Sequence, residues 1–140
     1  MALFELSDVH TSIRDLARDV GRRTIAPAAR ENDAHERFPR EILRELASLG
    51  LMGVNVPASL GGSEAGVVAY ALAMMEIAAA DAAVAVTMAV NNMVAETIVK
   101  FGTPAQAAEH ASRIADGTYA AGAFALSEPH AGSDPGAMRT

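Results

Sequence analysis

Residues 126–136 read Leu-Ser-Glu-Pro-His-Ala-Gly-Ser-Asp-Pro-Gly and hold most of the chemistry this chain offers. Small residues let a ligand come close to the backbone. Free N–H groups in such a turn form an anion-binding concavity. Ser127 and Ser133 add hydroxyls that donate or accept hydrogen bonds. Glu128 is open to two roles: a proton-abstracting base, or an acceptor that holds its own loop through backbone N–H groups. An ordinary surface turn is the competing reading of the whole stretch. The chain has no Cys, which excludes disulfides, thiol nucleophiles and Cys-type zinc sites. His10, His35, His110 and His130 show neither i, i+4 pairing nor H-E-x-x-H spacing, so no metal site is expected.

The elements that must position this loop read as helices. Ser7 is placed to cap a first helix, where Val9, Ile13, Leu16, Ala17 and Val20 recur at helical spacing. Pro27 predicts a kink, and the polar run 30–37 predicts its end. Pro39 opens a second helix with Ile42, Leu43, Leu46 and Leu49 as its buried stripe, and Gly50 stands at the left-handed C-terminal position. Residues 51–56 are apolar and predicted extended, and Pro57 with Gly61-Gly62 marks a loop. A third helix is predicted over 64–80, with Val68, Leu72, Met75 and Ala79 on one face. Asp81 caps a fourth, which Gly102 stops after Phe101. Thr103 and Pro104 start a fifth, running to about Ala115, and Gly117 closes it. Leu16, Leu46, Leu72 and Ile98 are expected in the core of an antiparallel-like bundle. Residues 119–126 are short and apolar, as a strand would be. A lone strand with an open edge is not a stable architecture, so the sequence reads as part of a larger fold or as one that needs a partner.

Composition narrows the function. The 140 residues suit one domain, and hydrophobic content of 51% is globular rather than disordered. Aromatics are scarce and Trp is absent, so Ala, Leu, Val, Ile and Met must build the core. The net charge of −6 and the lack of a basic cluster argue against nucleic acid. The apolar tract 65–99 is interrupted by Glu76, Asp81, Asn91, Asn92 and Glu96, so no membrane span is expected. No signal peptide is visible, and a cytoplasmic location is expected. Met88 reads as core. Asn91-Asn92 is odd in an Ala/Val/Met setting, because a buried amide needs partners.

The stretch Phe124-Ala-Leu-Ser-Glu-Pro-His-Ala-Gly-Ser-Asp134 is similar to the acyl-CoA dehydrogenase signature, a strand followed by T/S-E-P-x-A-G-S-D. Phe101-Gly-Thr-Pro-Ala-Gln106 resembles that family's F-G-T-x-x-Q helix start, and Ala115-Asp116-Gly117 sits where the family turns before its strand. Val56-Pro-Ala-Ser-Leu-Gly-Gly62 resembles its P-x-x-x-G-G loop. Ser127 stands where Thr is commoner, and Glu109-His110-Ala111 replaces a more usual apolar-Pro segment. The resemblance implies a mainly α fold: residues 1–117 as the N-terminal helical domain and 118–140 as the start of the middle β domain, with its first strand. Family members run to well over twice this length and add a C-terminal helical bundle.

The resemblance also implies α,β-desaturation of an acyl-CoA thioester with FAD as cofactor. The base is a Glu of the C-terminal domain, so no catalytic residue is expected in this chain, and the chain alone is expected to be inactive. Phe124, Leu126, Ser127, Gly132 and Ser133 are the implied FAD contacts. Leu126 and Ser127 lie at the pyrimidine edge of the flavin, and Gly132 and Ser133 lie by its pyrophosphate. Ser133 also meets the pantetheine arm of the substrate. The implied partners are an electron-transfer flavoprotein and further copies in a homo-oligomer, a tetramer for the full-length enzyme. His130 holds a variable position without a role. Two alternatives stay open: an acyl-CoA oxidase or flavin monooxygenase relative, and a non-catalytic helical partner of a complete dehydrogenase subunit.

Overall fold

The computed structural model describes residues 5–140. Helix α1, Asp8–Val20, starts where the Ser7 hydroxyl accepts the His10 N–H at 3.3 Å and His10 Nδ1 accepts the Ser7 N–H at 3.3 Å. This reciprocal cap satisfies two backbone donors that a helix start leaves open. Ala17 and Val20 are buried, Leu16 is half-buried and Val9 is exposed, so the core stripe of α1 is narrower than its apolar spacing predicts.

The disturbance expected at Pro27 lies just before it. Residues Gly21–Ile25 form a π turn, in which the Ala26 N–H reaches back to the Gly21 carbonyl, and α2 follows over Ala26–Ala34. Proline sits in the first turn of α2, where its missing N–H costs least because the ladder has already changed register. Gly21 is the point of close approach to α4. A Cβ there would stand 3.3 Å from the Glu76 carbonyl oxygen and 3.4 Å from Ala80 Cβ.

Helix α3, Arg40–Ser48, buries Ile42, Leu43, Leu46 and Ala47 and ends at Gly50, whose φ of 75° is left-handed. Residues 51–56 are not the extended segment expected. They turn repeatedly inside the core, with Val56 N–H bonded to the Gly53 carbonyl, and fold back on 63–65 through Ser63 N–H to Gly53 O and Ala65 N–H to Val54 O. Their buried backbone must find partners, and these come from its own turns, from 63–65 and from the Asn92 side chain rather than from a neighbouring strand.

Helices α4, Gly66–Ala80, and α5, Ala82–Phe101, split the long apolar tract at Asp81, whose carboxylate caps α5 by accepting from Ala83 N–H at 2.8 Å and Val84 N–H at 3.4 Å. On α4 the inward face is Ala69, Ala73 and Ile77. The face predicted from Val68, Leu72, Met75 and Ala79 is the wrong one: Val68, Met75 and Ala79 are exposed and Leu72 is half-buried. Small side chains win the inward position because α1 lies closely against α4, at Gly21 and along its length. Helix α5 is long and apolar enough to cross a bilayer by length and composition, yet Val84, Ala85, Met88, Asn91, Asn92 and Ala95 are buried within the protein.

Thr103 caps α6, Pro104–Gln106, by a reciprocal pair with Gln106. A π turn, Ala107–Ala111, and α7, Ser112–Ala115, continue it to Gly117, with φ of 79°. The core has two parts. The larger joins α1, α3, α4 and the first half of α5; the smaller gathers Val56, Ala95, Ala111 and Ile114, with Ile98 partly buried against it.

The first β strand expected at 119–126 does not form. Among the described residues the isolated bridge between Glu128 and Ala131 is the single β pairing, and 121–127 belong to neither helix nor ladder. A strand needs a neighbour for its N–H and C=O groups, and these residues have none beside them.

Candidate functional site

The loop after residue 126 is closed by its own backbone. Glu128 N–H donates to the Ala131 carbonyl at 3.0 Å, and Ala131 N–H returns to the Glu128 carbonyl at 3.1 Å, so Pro129 and His130 sit at the tip. Ala131, only 2% exposed, anchors the turn.

Glu128 spends its carboxylate on the loop. Oε2 accepts the Arg139 N–H and Oε1 the Thr140 N–H, both at 3.0 Å, and the Thr140 hydroxyl donates to Oε1 as well. His130 Nε2 lies 3.2 Å from Oε2. The Thr140 hydroxyl, and after it the Arg139 N–H, hold the Glu128 carboxyl below the usual Glu range. A proton-abstracting base needs the opposite shift, toward neutrality. Of the two roles open to Glu128, the geometry favours the acceptor that ties its own loop.

The five site residues expected from the sequence are all at the surface. Phe124 is 49% and Leu126 46% exposed, and Ser127, Gly132 and Ser133 are exposed. A Cβ on Gly132 would meet nothing within 4 Å. From Ala123 to Ser127 the backbone N–H groups have no partner among the described residues. Unpaired N–H groups, two exposed hydroxyls and open space at Gly132 form a run of donors facing outward. That run suits a polar, partly anionic ligand such as a flavin with its pyrophosphate, and the loop residues therefore fit the cofactor that the sequence resemblance implies.

Asn91 and Asn92 carry more structure than the sequence reading gave them. Both are fully buried. Asn92 Oδ1 accepts the Val54 N–H at 2.7 Å, and its Nδ2 donates to the Leu51 and Met88 carbonyls at 2.9 Å each. Asn91 Oδ1 accepts the Gly122 N–H, and its Nδ2 donates to the Ala120 carbonyl at 3.5 Å and contacts Met52 Sδ at 3.4 Å. Adjacent amides in an apolar tract were the signal; their partners are distant in sequence and could not be read from it.

With this geometry in place, likeness to other proteins becomes informative. The family model described as Acyl-CoA dehydrogenase, N-terminal domain, matches residues 7–118. An acyl-CoA dehydrogenase of Bacillus subtilis is 41% identical over 129 residues, which is 91% of this chain and 34% of that protein. The mitochondrial short-chain specific acyl-CoA dehydrogenase of Bos taurus is 39% identical over 137 residues, 97% of this chain and 33% of its own length. Among solved structures, butyryl-CoA dehydrogenase of Megasphaera elsdenii superposes with a TM-score of 0.87 at 36% identity, over 98% of this chain and 37% of that one. The family model covers the helical body, the Bos taurus and Megasphaera elsdenii proteins match over nearly the whole chain, and the chain belongs to the acyl-CoA dehydrogenase family. It spans about a third of the length of the relatives it matches.

Proposed function

We propose that this chain supplies the N-terminal helical wall and the cofactor-edge loop of an FAD-dependent acyl-CoA dehydrogenase, which introduces a double bond between the α and β carbons of an acyl-CoA thioester. The observation that carries the reading is the exposed stretch of unpaired N–H groups from Phe124 to Ser127, followed by the exposed Gly132 and Ser133 beyond a turn that Glu128 and Ala131 close. Residues 1–117 act as the helical domain and 118–140 open the β domain.

When bound, FAD supplies the acceptor for the hydride that leaves the β carbon. The chain's own residues bind and orient. Leu126 N–H and the Ser127 N–H and hydroxyl donate to the pyrimidine edge of the flavin, where negative charge gathers on reduction, so fixed donors there favour that charge. Phe124 borders the ring system. Gly132, with no Cβ, lets the pyrophosphate approach the backbone, and the Ser133 hydroxyl reaches both the pyrophosphate and the pantetheine arm. The α-proton leaves to a base outside these 140 residues, because Glu128 is engaged by its own loop. Electrons then pass to an electron-transfer flavoprotein, and the working enzyme is a homo-oligomer, a tetramer.

The experiment is substitution in the flavin-loaded enzyme that carries this segment. Ser127→Ala should weaken FAD binding or shift the flavin midpoint potential. A hydrogen bond to a charged group is worth roughly 1.5–3 kcal/mol, an effect of about 10- to 100-fold. Ser127→Thr keeps the hydroxyl and should be nearly silent. Ser133→Ala should weaken both FAD and acyl-CoA. If Ser127→Ala and Ser133→Ala both match the parent in FAD affinity, potential and acyl-CoA titration, the loop is an ordinary surface turn.

A further inference from the structure

We infer that Asn91 is a positioning residue for the flavin-edge loop; the inference rests on the reading of that loop given above. The backbone from Ala120 to Ser127 leaves the helical body after Tyr119, whose N–H bonds the Arg113 carbonyl at 2.8 Å, and next pairs at Glu128. Between those two points, among the described residues, its hydrogen bonds to the rest of the protein are those of Asn91 alone: Oδ1 to the Gly122 N–H and Nδ2 to the Ala120 carbonyl. The two bonds grip one residue on either side of Ala121, which fixes both the position and the direction of the chain as it enters Phe124–Ser127.

The grip sits on a rigid support. Asn91 is fully buried on α5, a 20-residue helix, beside Asn92, whose hydrogen bonds go to Leu51 and Val54 and to Met88 within α5, and none to the loop. Gly122 completes it. A Cβ at 122 would stand 3.2 Å from Val94 Cβ and 3.4 Å from Asn91 Oδ1, so the backbone lies against α5 closer than a side chain comfortably allows. Donor groups act on a ligand only if held in place before it arrives, and a site residue is as good as the groups that orient it. Asn91 acts through Leu126 and Ser127 and touches no ligand itself.

The test has two readouts. Amide hydrogen exchange on the 140-residue chain reports the grip. Asn91→Ala should speed exchange of the Gly122 amide, the one bonded N–H of 122–127, by about tenfold or more, with α5 amides unchanged, as expected for the loss of one or two net hydrogen bonds in a locally opening segment. Gly122→Ala, which leaves both amides in place but pushes the backbone off α5, should do the same and serves if Asn91→Ala does not fold. In the flavin-loaded enzyme the same variants should lower FAD affinity about tenfold and shift the visible flavin spectrum in the direction that Ser127→Ala shifts it. Unchanged exchange at Gly122 overturns the inference. So does faster exchange with parent-like FAD affinity and spectrum while Ser127→Ala weakens FAD; Asn91 is then structural only and the reading of the loop stands. If Ser127→Ala is silent as well, the reading of the loop falls and takes the inference with it.

Discussion

Replacing Asn92 with alanine removes three hydrogen bonds from the interior at once. The Val54 N–H and the Leu51 carbonyl, on residues that are 0% and 1% exposed, are left without those partners; the Met88 carbonyl keeps its place in the α5 ladder. An unsatisfied buried polar group costs about 1–3 kcal/mol, so two cost about 2–6 kcal/mol. Stabilities of native domains run to about 5–15 kcal/mol, which makes this a large fraction of the whole. Urea unfolding followed by far-UV circular dichroism measures it, with the midpoint moving and the slope held. Asn92→Asp sharpens the test. It keeps the acceptor for Val54 N–H but turns an oxygen toward two carbonyls, so the folded state favours the protonated acid. Its folded pKa is then raised. The stability it contributes is present below the unfolded Asp value, about 3.9, and is lost as pH rises through the folded value. A loss below about 1 kcal/mol for Asn92→Ala, or an Asn92→Asp variant whose deficit does not grow with pH, refutes the reasoning.

Glu76 is held by Arg18 through two contacts, Nη2 to Oε1 at 2.6 Å and Nε to Oε2 at 3.1 Å, and the hydrogen bond from Arg18 lowers its pKa. A depressed carboxyl contributes stability above its unfolded pKa and loses it as pH falls through the folded value. Glu76→Gln should therefore destabilise at neutral pH and converge with the parent in acid, read as the gap between two melting-temperature profiles. Gly62→Ala would put a Cβ 2.0 Å from the Val56 carbonyl oxygen. It should cost at least about 1–3 kcal/mol, the usual range for overpacking, as a lower thermal midpoint, and a parent-like melt would show that 56–62 is not packed as described.

Local signals were legible in the sequence, and relations between elements were less so. Ser7, Asp81 and Thr103 were readable as caps because a hydroxyl or carboxylate meets N–H groups two or three residues on. Gly50 and Gly117 were readable as helix ends because the left-handed backbone that closes a helix favours glycine. The buried face of α4 was not, because that helix is apolar all round and its spacing points nowhere. Closeness to α1 decided it, in favour of alanines over Val68 and Met75. The strand at 119–126 failed on its neighbour: β-propensity describes a surface that another strand must complete. In the loop, the residue types of Ser127, Gly132 and Ser133 announced donors, and their common outward placement came only with the fold. The grip of Asn91 on Gly122 spans 31 positions, beyond the reach of any periodicity.

The π turn after α1 has a consequence for chain length. Val20 and Ile25 are five positions apart, yet both are fully buried. In an unbroken α-helix that spacing would turn Ile25 about 140° away from Val20. The widened turn at Gly21–Ile25 brings it back, with Arg22 and Arg23 bulging into solvent. Five residues thus span the arc that four cover in an ordinary helix. Removal of one residue at Arg22 would let an ordinary helical turn carry Val20 and Ile25 on the same inward side, so the buried pair tolerates a chain one residue shorter at this point.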